Sequence, residues 1–171
     1  MSSPTPPPPR EVLPWSRFGE AARELARTVA DSGWMPDLVI AVARGGLVPA
    51  GAVAYALDVK AMGTMNVEFY TGVDQTLGEP LVLPPLLDTS ALAGARVLVV
   101  DDVADSGRTL ELVMQRLRAG ERPPAQARSA VLYTKPRSVI EPDYTWHRTE
   151  RWISFPWSAL PPVTATATDG A

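Results

Sequence analysis

Cysteine is absent from the 171 residues, and histidine occurs once, at His147. The first absence excludes disulfides and thiolate metal sites and fits a reducing compartment. The second leaves His147 without a partner visible in sequence, so it is expected to be structural or exposed. No uninterrupted apolar run approaches the ~20 residues needed to span a bilayer. An excess of positive charge is also missing: the net charge is −3 and the pI near 5.2. That balance leaves no general electrostatic footprint for nucleic acid or an anionic membrane. Any phosphate binding must therefore be local. The first residues, Met1-Ser2-Ser3-Pro4, carry neither a basic segment nor an apolar one, so no secretory signal is expected there. Together these absences predict a soluble, cytoplasmic protein with neither nucleic acid nor membrane as partner.

Hydrophobic residues make up 46% of the chain, enough to fill one core at this length. Proline is plentiful, with 18 in all, and five of them stand at Pro4, Pro6, Pro7, Pro8 and Pro9. Such a stretch favours extended polyproline geometry and cannot feed a core. Residues 1–14 are thus expected to be a disordered tail, 15–162 the domain, and 163–171 a second disordered tail. From Ser16, the positions Phe18, Ala21, Ala22, Leu25, Ala26 and Val29 keep helical spacing, with Ser16 as cap and Gly33 as stop.

Two runs read as strands buried on both faces: Leu38-Val39-Ile40-Ala41-Val42-Ala43 and Val97-Leu98-Val99-Val100. The first ends in Arg44-Gly45-Gly46, with Pro49 suited to the first turn of a helix running to Leu57. Alone, Gly45-Gly46 reads equally well as a tight turn; beside Arg44 it suggests an anion site. The second run ends in Asp101 and Asp102, then a turn of small donors, then Leu110, Val113, Met114 and Leu117 at helical spacing. A strand, two acids and a loop opening onto a helix N-terminus form an anion cradle with cation ligands beside it. Val59 to Met62 and Asn66 to Tyr70 are expected as short strands, and Arg128 to Thr134 as a longer one ending at Lys135-Pro136. Tyr144-Thr145-Trp146 is expected at an edge. Between Thr71 and about Leu92 the composition turns polar and proline-rich, as in a lid or other functional loop.

The run Val99-Val100-Asp101-Asp102-Val103-Ala104-Asp105-Ser106-Gly107-Arg108-Thr109 resembles the phosphoribosyl pyrophosphate signature of type I phosphoribosyltransferases. Ala43-Arg44-Gly45-Gly46-Leu47-Val48-Pro49 resembles the pyrophosphate loop of the branch acting on 6-oxopurines. Lys135-Pro136 and Trp152-Ile153-Ser154-Phe155-Pro156-Trp157 are similar to the same branch in its short bacterial and archaeal members. The resemblance implies an α/β fold, a central mostly parallel sheet flanked by helices, with a mobile hood loop over the site at Thr71 to Leu92. It also implies a dimer or tetramer.

By the same resemblance, Asp105, Ser106, Gly107, Arg108 and Thr109 bind the 5′-phosphate, and Asp101 and Asp102 hold the ribose hydroxyls and Mg²⁺. Ala43, Arg44 and Gly45 grip pyrophosphate, with a cis peptide joining Ala43 to Arg44. Asp105 also accepts a proton from the imidazole side of the purine. Lys135 donates to the 6-oxo group, Trp152 stacks on the base, and Ile153 offers its backbone carbonyl. Trp157 is assigned to packing, and Arg151 has no assigned role. The serine of the family's serine-tyrosine pair is Phe69 here, before Tyr70. The implied activity is transfer of phosphoribosyl from phosphoribosyl pyrophosphate to hypoxanthine, guanine or xanthine. Two rivals are a regulatory protein that binds the sugar phosphate without turnover, and a transferase using another base. A dinucleotide-binding oxidoreductase would need a Gly-x-Gly-x-x-Gly spacing that Gly45-Gly46 does not supply.

Overall fold

Alternate residues of the buried strand runs belong to different cores, and that alternation is what a sheet covered on both faces requires. In the computed structural model, which describes residues 9–68, 81–82 and 87–164, Leu98 and Val100 join one buried cluster while Val97 and Val99 join another. Val39 and Ala41 likewise oppose Leu38, Ile40 and Val42. The first cluster is roofed by α1 (Trp15–Asp31) and α2 (Leu47–Ala56), the second by α3 (Arg108–Ala119).

The chain runs β1 (Arg10–Val12), α1, β2 (Leu38–Ala43), α2, β3 (Met62–Glu68) and β4 (Leu81–Val82), then β5 (Arg96–Ala104), α3, β6 (Gln126–Thr134), β7 (Tyr144–Arg148) and β8 (Trp152–Ser154). The main sheet has the order β4-β3-β2-β5-β6-β7. All its pairings are parallel except β3 with β4. The chain moves outward from β2 to β3 and later re-enters at β5, beside β2. The strand order therefore reverses between β2 and β5, and in open α/β sheets ligands bind at the carboxyl ends beside such a reversal. The expected mostly parallel α/β sheet is the one observed.

Several boundaries differ from the sequence expectation. Within residues 1–14, expected as a tail, Arg10–Val12 form β1, which pairs parallel with β8, and Leu13 is buried with its N–H on the Ser154 carbonyl at 3.0 Å; residues 1–8 lie outside the described residues. Ser16 does not cap α1. Pro14 takes that place, extended at φ −80°, its carbonyl accepting from Arg17 and Phe18. Proline has no N–H to satisfy, so it costs nothing at a helix entry. Gly33, at φ +75°, follows the end of α1 as expected. In place of two strands at 59–62 and 66–70, one strand covers Met62–Glu68. The expected Tyr144–Trp146 edge strand extends to Arg148, and His147 is exposed, its ring stacked on Trp146 at 3.8 Å. Phe69, Tyr70 and most of the expected hood lie outside the described residues. Among the described residues, no helix is long and apolar enough to cross a membrane.

Candidate active site

At the strand-order reversal, glycine lets the loop after β2 press against β5. A Cβ on Gly46 would stand 2.5 Å from the Val100 carbonyl oxygen and 2.6 Å from that of Val42, closer than any side chain tolerates. One on Gly45 would run into the Asp102 carboxylate. Only glycine lets the loop after β2 lie this close to β5. The Ala43–Arg44 peptide bond is cis, as the resemblance implied, and Arg44 is exposed.

Asp101 is buried within β5, which runs past the two acids to Ala104, and it accepts the Asp102 N–H at 2.8 Å. Burial, with the Asp102 charge beside it, pushes the Asp101 carboxyl well above the usual carboxylate range. Burial also raises Asp102, against the opposing pull of the Val103 N–H, Asp101 and the Trp157 indole. Trp157 packs at the edge of the core, stacked on Phe155 at 4.9 Å. The two carboxylates are hard oxygen donors. Among the described residues, no group of three or more His, Cys, Asp or Glu side chains could enclose a metal. One or two carboxylates, with water and substrate oxygens completing the shell, is the arrangement that suits Mg²⁺.

Beyond the acids, Gly107 adopts φ +76° and caps α3, whose first i→i−4 bond is Glu111 N–H to the Gly107 carbonyl at 2.9 Å. The amides of Arg108, Thr109 and Leu110 precede that bond, so a helix N-terminus with its partial positive charge opens beside Asp105 and Ser106. Ser106 and Arg108 are exposed there and Thr109 is partly so.

A second cluster of side chains is drawn from four segments. Lys135, at the end of β6, is 6% exposed, and its Nζ lies 5.2 Å from the Trp152 ring centroid and 3.4 Å from Asp105 Oδ2. Trp152 is 60% exposed, so its indole has a face available to a flat partner. A cavity of about 440 Å³ brings Asp102, Asp105, Lys135, Trp152 and Ile153 together. Arg10, Ser154 and Ser158 complete its rim. Asp101, Arg44 and the Ser106–Thr109 loop do not line this cavity.

Two residues at the site were missed by sequence reading. Arg10 reaches the cavity because β1 is held in register with β8, Arg10 opposite Trp152. Its only signal was the short Arg10-Glu11-Val12-Leu13 run after the prolines. Arg137 donates from Nε to Asp105 Oδ1 at 2.7 Å and also pairs through Nη2. Nothing in sequence marks it beyond its place two residues after Lys135.

Comparison with known proteins agrees with this geometry. Residues 10–161 match the family model described as a phosphoribosyl transferase domain. A xanthine-guanine phosphoribosyltransferase from Nitratidesulfovibrio vulgaris, strain Hildenborough, is 32% identical over 154 residues, 88% of this chain and 86% of the relative. One from Gluconobacter oxydans is 31% identical over 152 residues, 88% of this chain and 85% of the relative. A purine phosphoribosyltransferase from Pyrococcus horikoshii superposes with a TM-score of 0.77 at 34% identity, over 91% of this chain and 99% of that one. With the signature loop, the paired acids and the strand-end loops all on one sheet edge, the chain belongs to the phosphoribosyltransferase family.

Proposed function

We propose that this protein transfers the 5-phosphoribosyl group from phosphoribosyl pyrophosphate to a 6-oxopurine (hypoxanthine, guanine or xanthine), releasing the nucleoside monophosphate and pyrophosphate in purine salvage. The observation that carries the base assignment is the cavity in which Asp105, Lys135 and Trp152 meet, within 3.4 Å and 5.2 Å of one another through Lys135 Nζ. A flat base stacked on Trp152 meets a buried ammonium that can donate to its 6-oxo oxygen and a carboxylate that can take its imidazole proton. The Ile153 carbonyl takes the opposite edge, as the family resemblance implies.

In the reaction the anomeric carbon loses its bond to a pyrophosphate oxygen and gains one to the purine nitrogen. Asp105 receives the proton that nitrogen gives up. Asp105 to Thr109, with the first α3 amides, hold the 5′-phosphate, and Ala43, Arg44 and Gly45 hold the pyrophosphate. Asp101 and Asp102 hold the ribose hydroxyls and Mg²⁺, which when bound neutralises charge on the leaving pyrophosphate. The relatives' names, xanthine-guanine and purine phosphoribosyltransferase, support this reading. A homo-oligomer, dimer or tetramer, is supported by α2, whose sequence LVPAGAVAYA carries no charge while Leu47 and Tyr55 are 43% and 93% exposed. The absence of cysteine fits action in the cytoplasm.

The test is nucleotide formation from each of the three bases with phosphoribosyl pyrophosphate and Mg²⁺. Nucleotide and pyrophosphate in equal amounts with at least one base are expected, and both vanish with EDTA. Binding of the sugar phosphate without turnover of any base would overturn the proposal in favour of a regulatory protein.

A further inference from the structure

The two oxygens of Asp105 face different surroundings. Oδ1 accepts from Nε and Nη2 of Arg137, and Oδ2 faces Lys135 Nζ at 3.4 Å. Asp105 and Lys135 line the 440 Å³ cavity, whereas Arg137 lines a neighbouring one of about 580 Å³ with Glu150 and Arg151. Lys135 and Trp152 form the wall common to both. Arg137 therefore grips the carboxylate from outside the base cavity and turns the other oxygen toward it.

The turn that carries Arg137 is itself tied to the phosphate loop. Lys135 donates its N–H to the Ala104 carbonyl at 3.0 Å, Ser138 donates to Lys135 at 3.0 Å, and Val139 donates to the Ser106 carbonyl at 2.8 Å. A Cβ on Gly107 would strike the Ser138 hydroxyl and stand 2.9 Å from an Ile140 methyl, so the two loops are in close contact. The guanidinium thus projects from backbone fixed to the loop it serves.

We infer that Arg137 is a positioning residue for the Asp105 carboxylate: it saturates Oδ1 so that Oδ2 is the oxygen presented to the purine. The inference rests on the proton-accepting role proposed for Asp105. Arg137 is 66% exposed and Asp105 32%, so solvent screens the charge attraction, and orientation is what the pair supplies. Two N–H groups converging on one oxygen is geometry that a rigid guanidinium provides and a lysine ammonium reproduces only in part.

The test is steady-state kinetics on Arg137→Met and Arg137→Lys, with Asp105→Asn alone and combined with Arg137→Met. Arg137→Met should lower kcat by about tenfold, the scale seen when a supporting partner is removed from a reacting group. The KM for phosphoribosyl pyrophosphate and the melting temperature should stay at wild-type values, and Arg137→Lys should recover part of kcat. On the Asp105→Asn background, Arg137→Met should cost nothing further. A kcat for Arg137→Met within twofold of wild type would overturn the inference. So would an equal fractional loss with and without Asp105, because that would mark an independent structural role. Full kcat in Asp105→Asn alone would instead remove Asp105 as proton acceptor, a failure of the proposed function and not specifically of Arg137.

Discussion

The proposed phosphate side and the proposed base side of the site are built in opposite ways. On the phosphate side, buried parallel strands end in loops held together by backbone: Gly46 lies against two carbonyls, Gly45 against a carboxylate, and Asp101 is 8% exposed. The base side joins a three-residue strand at each end of the chain, a lysine from β6, and a tryptophan more than half exposed. The difference is that of a rigid support against an adjustable one. A diphosphorylated sugar has fixed geometry and high charge, which suits preorganised backbone donors. A flat base needs a stacking surface and a few placed polar groups.

The largest effect should come from breaking the rigid half. Gly46→Val places new carbons among the Val42 and Val100 carbonyls; overpacking of this kind costs about 1 to 3 kcal/mol, and since it separates β2 from β5, activity is expected to disappear. A folded, fully active Gly46→Val protein would show that the close approach is dispensable. Next comes the group between the halves. Asp105→Asn should reduce kcat by about 10² to 10⁴, the usual contribution of a positioned acid or base. Its KM for phosphoribosyl pyrophosphate should change far less, and equal losses in both would make Asp105 only a loop residue.

On the adjustable half, Trp152→Ala removes stacking worth about 1 to 3 kcal/mol, so the base KM should rise by roughly tenfold or more. Unchanged base affinity would remove Trp152 from the site. Arg10→Ala should have a smaller effect, about twofold on base KM, because its side chain is exposed at the rim.

A last and smallest difference concerns stability. Because the Asp101 carboxyl is raised in the fold, folding favours its protonated form. That stabilisation is complete below the ordinary carboxylate pKa and is lost as pH rises toward the raised value. At pH 7, Asp101→Asn should therefore melt higher than wild type without ligands, and the gap should narrow in acid. A lower melting point at pH 7 would mean that the buried charge is compensated.

This contrast also explains what could be read in the sequence. The phosphate side lies in two contiguous stretches, 38–49 and 97–117, where strand, polar loop and helix follow directly. Local pattern therefore reports the three-dimensional arrangement. The Lys135 strand end and the exposed Trp152 were legible through family resemblance more than through pattern. Arg10 and Arg137 were not legible, because their places depend on β1 pairing with β8 and on a turn folding back over the phosphate loop. The single strand at Met62–Glu68, expected as two shorter ones at 59–62 and 66–70, carries Gly63 between them. In the fold, Leu87 fills the space beside that glycine.

The most direct test of the two-part construction is a calorimetric titration of phosphoribosyl pyrophosphate with Mg²⁺ into wild type and Trp152→Ala, beside base turnover by the same preparations. Sugar-phosphate dissociation constants are expected within about twofold of each other, while Trp152→Ala loses most base turnover at low base concentration. A tenfold or greater weakening of sugar-phosphate binding in Trp152→Ala would contradict that construction, because the two halves would then not be separable.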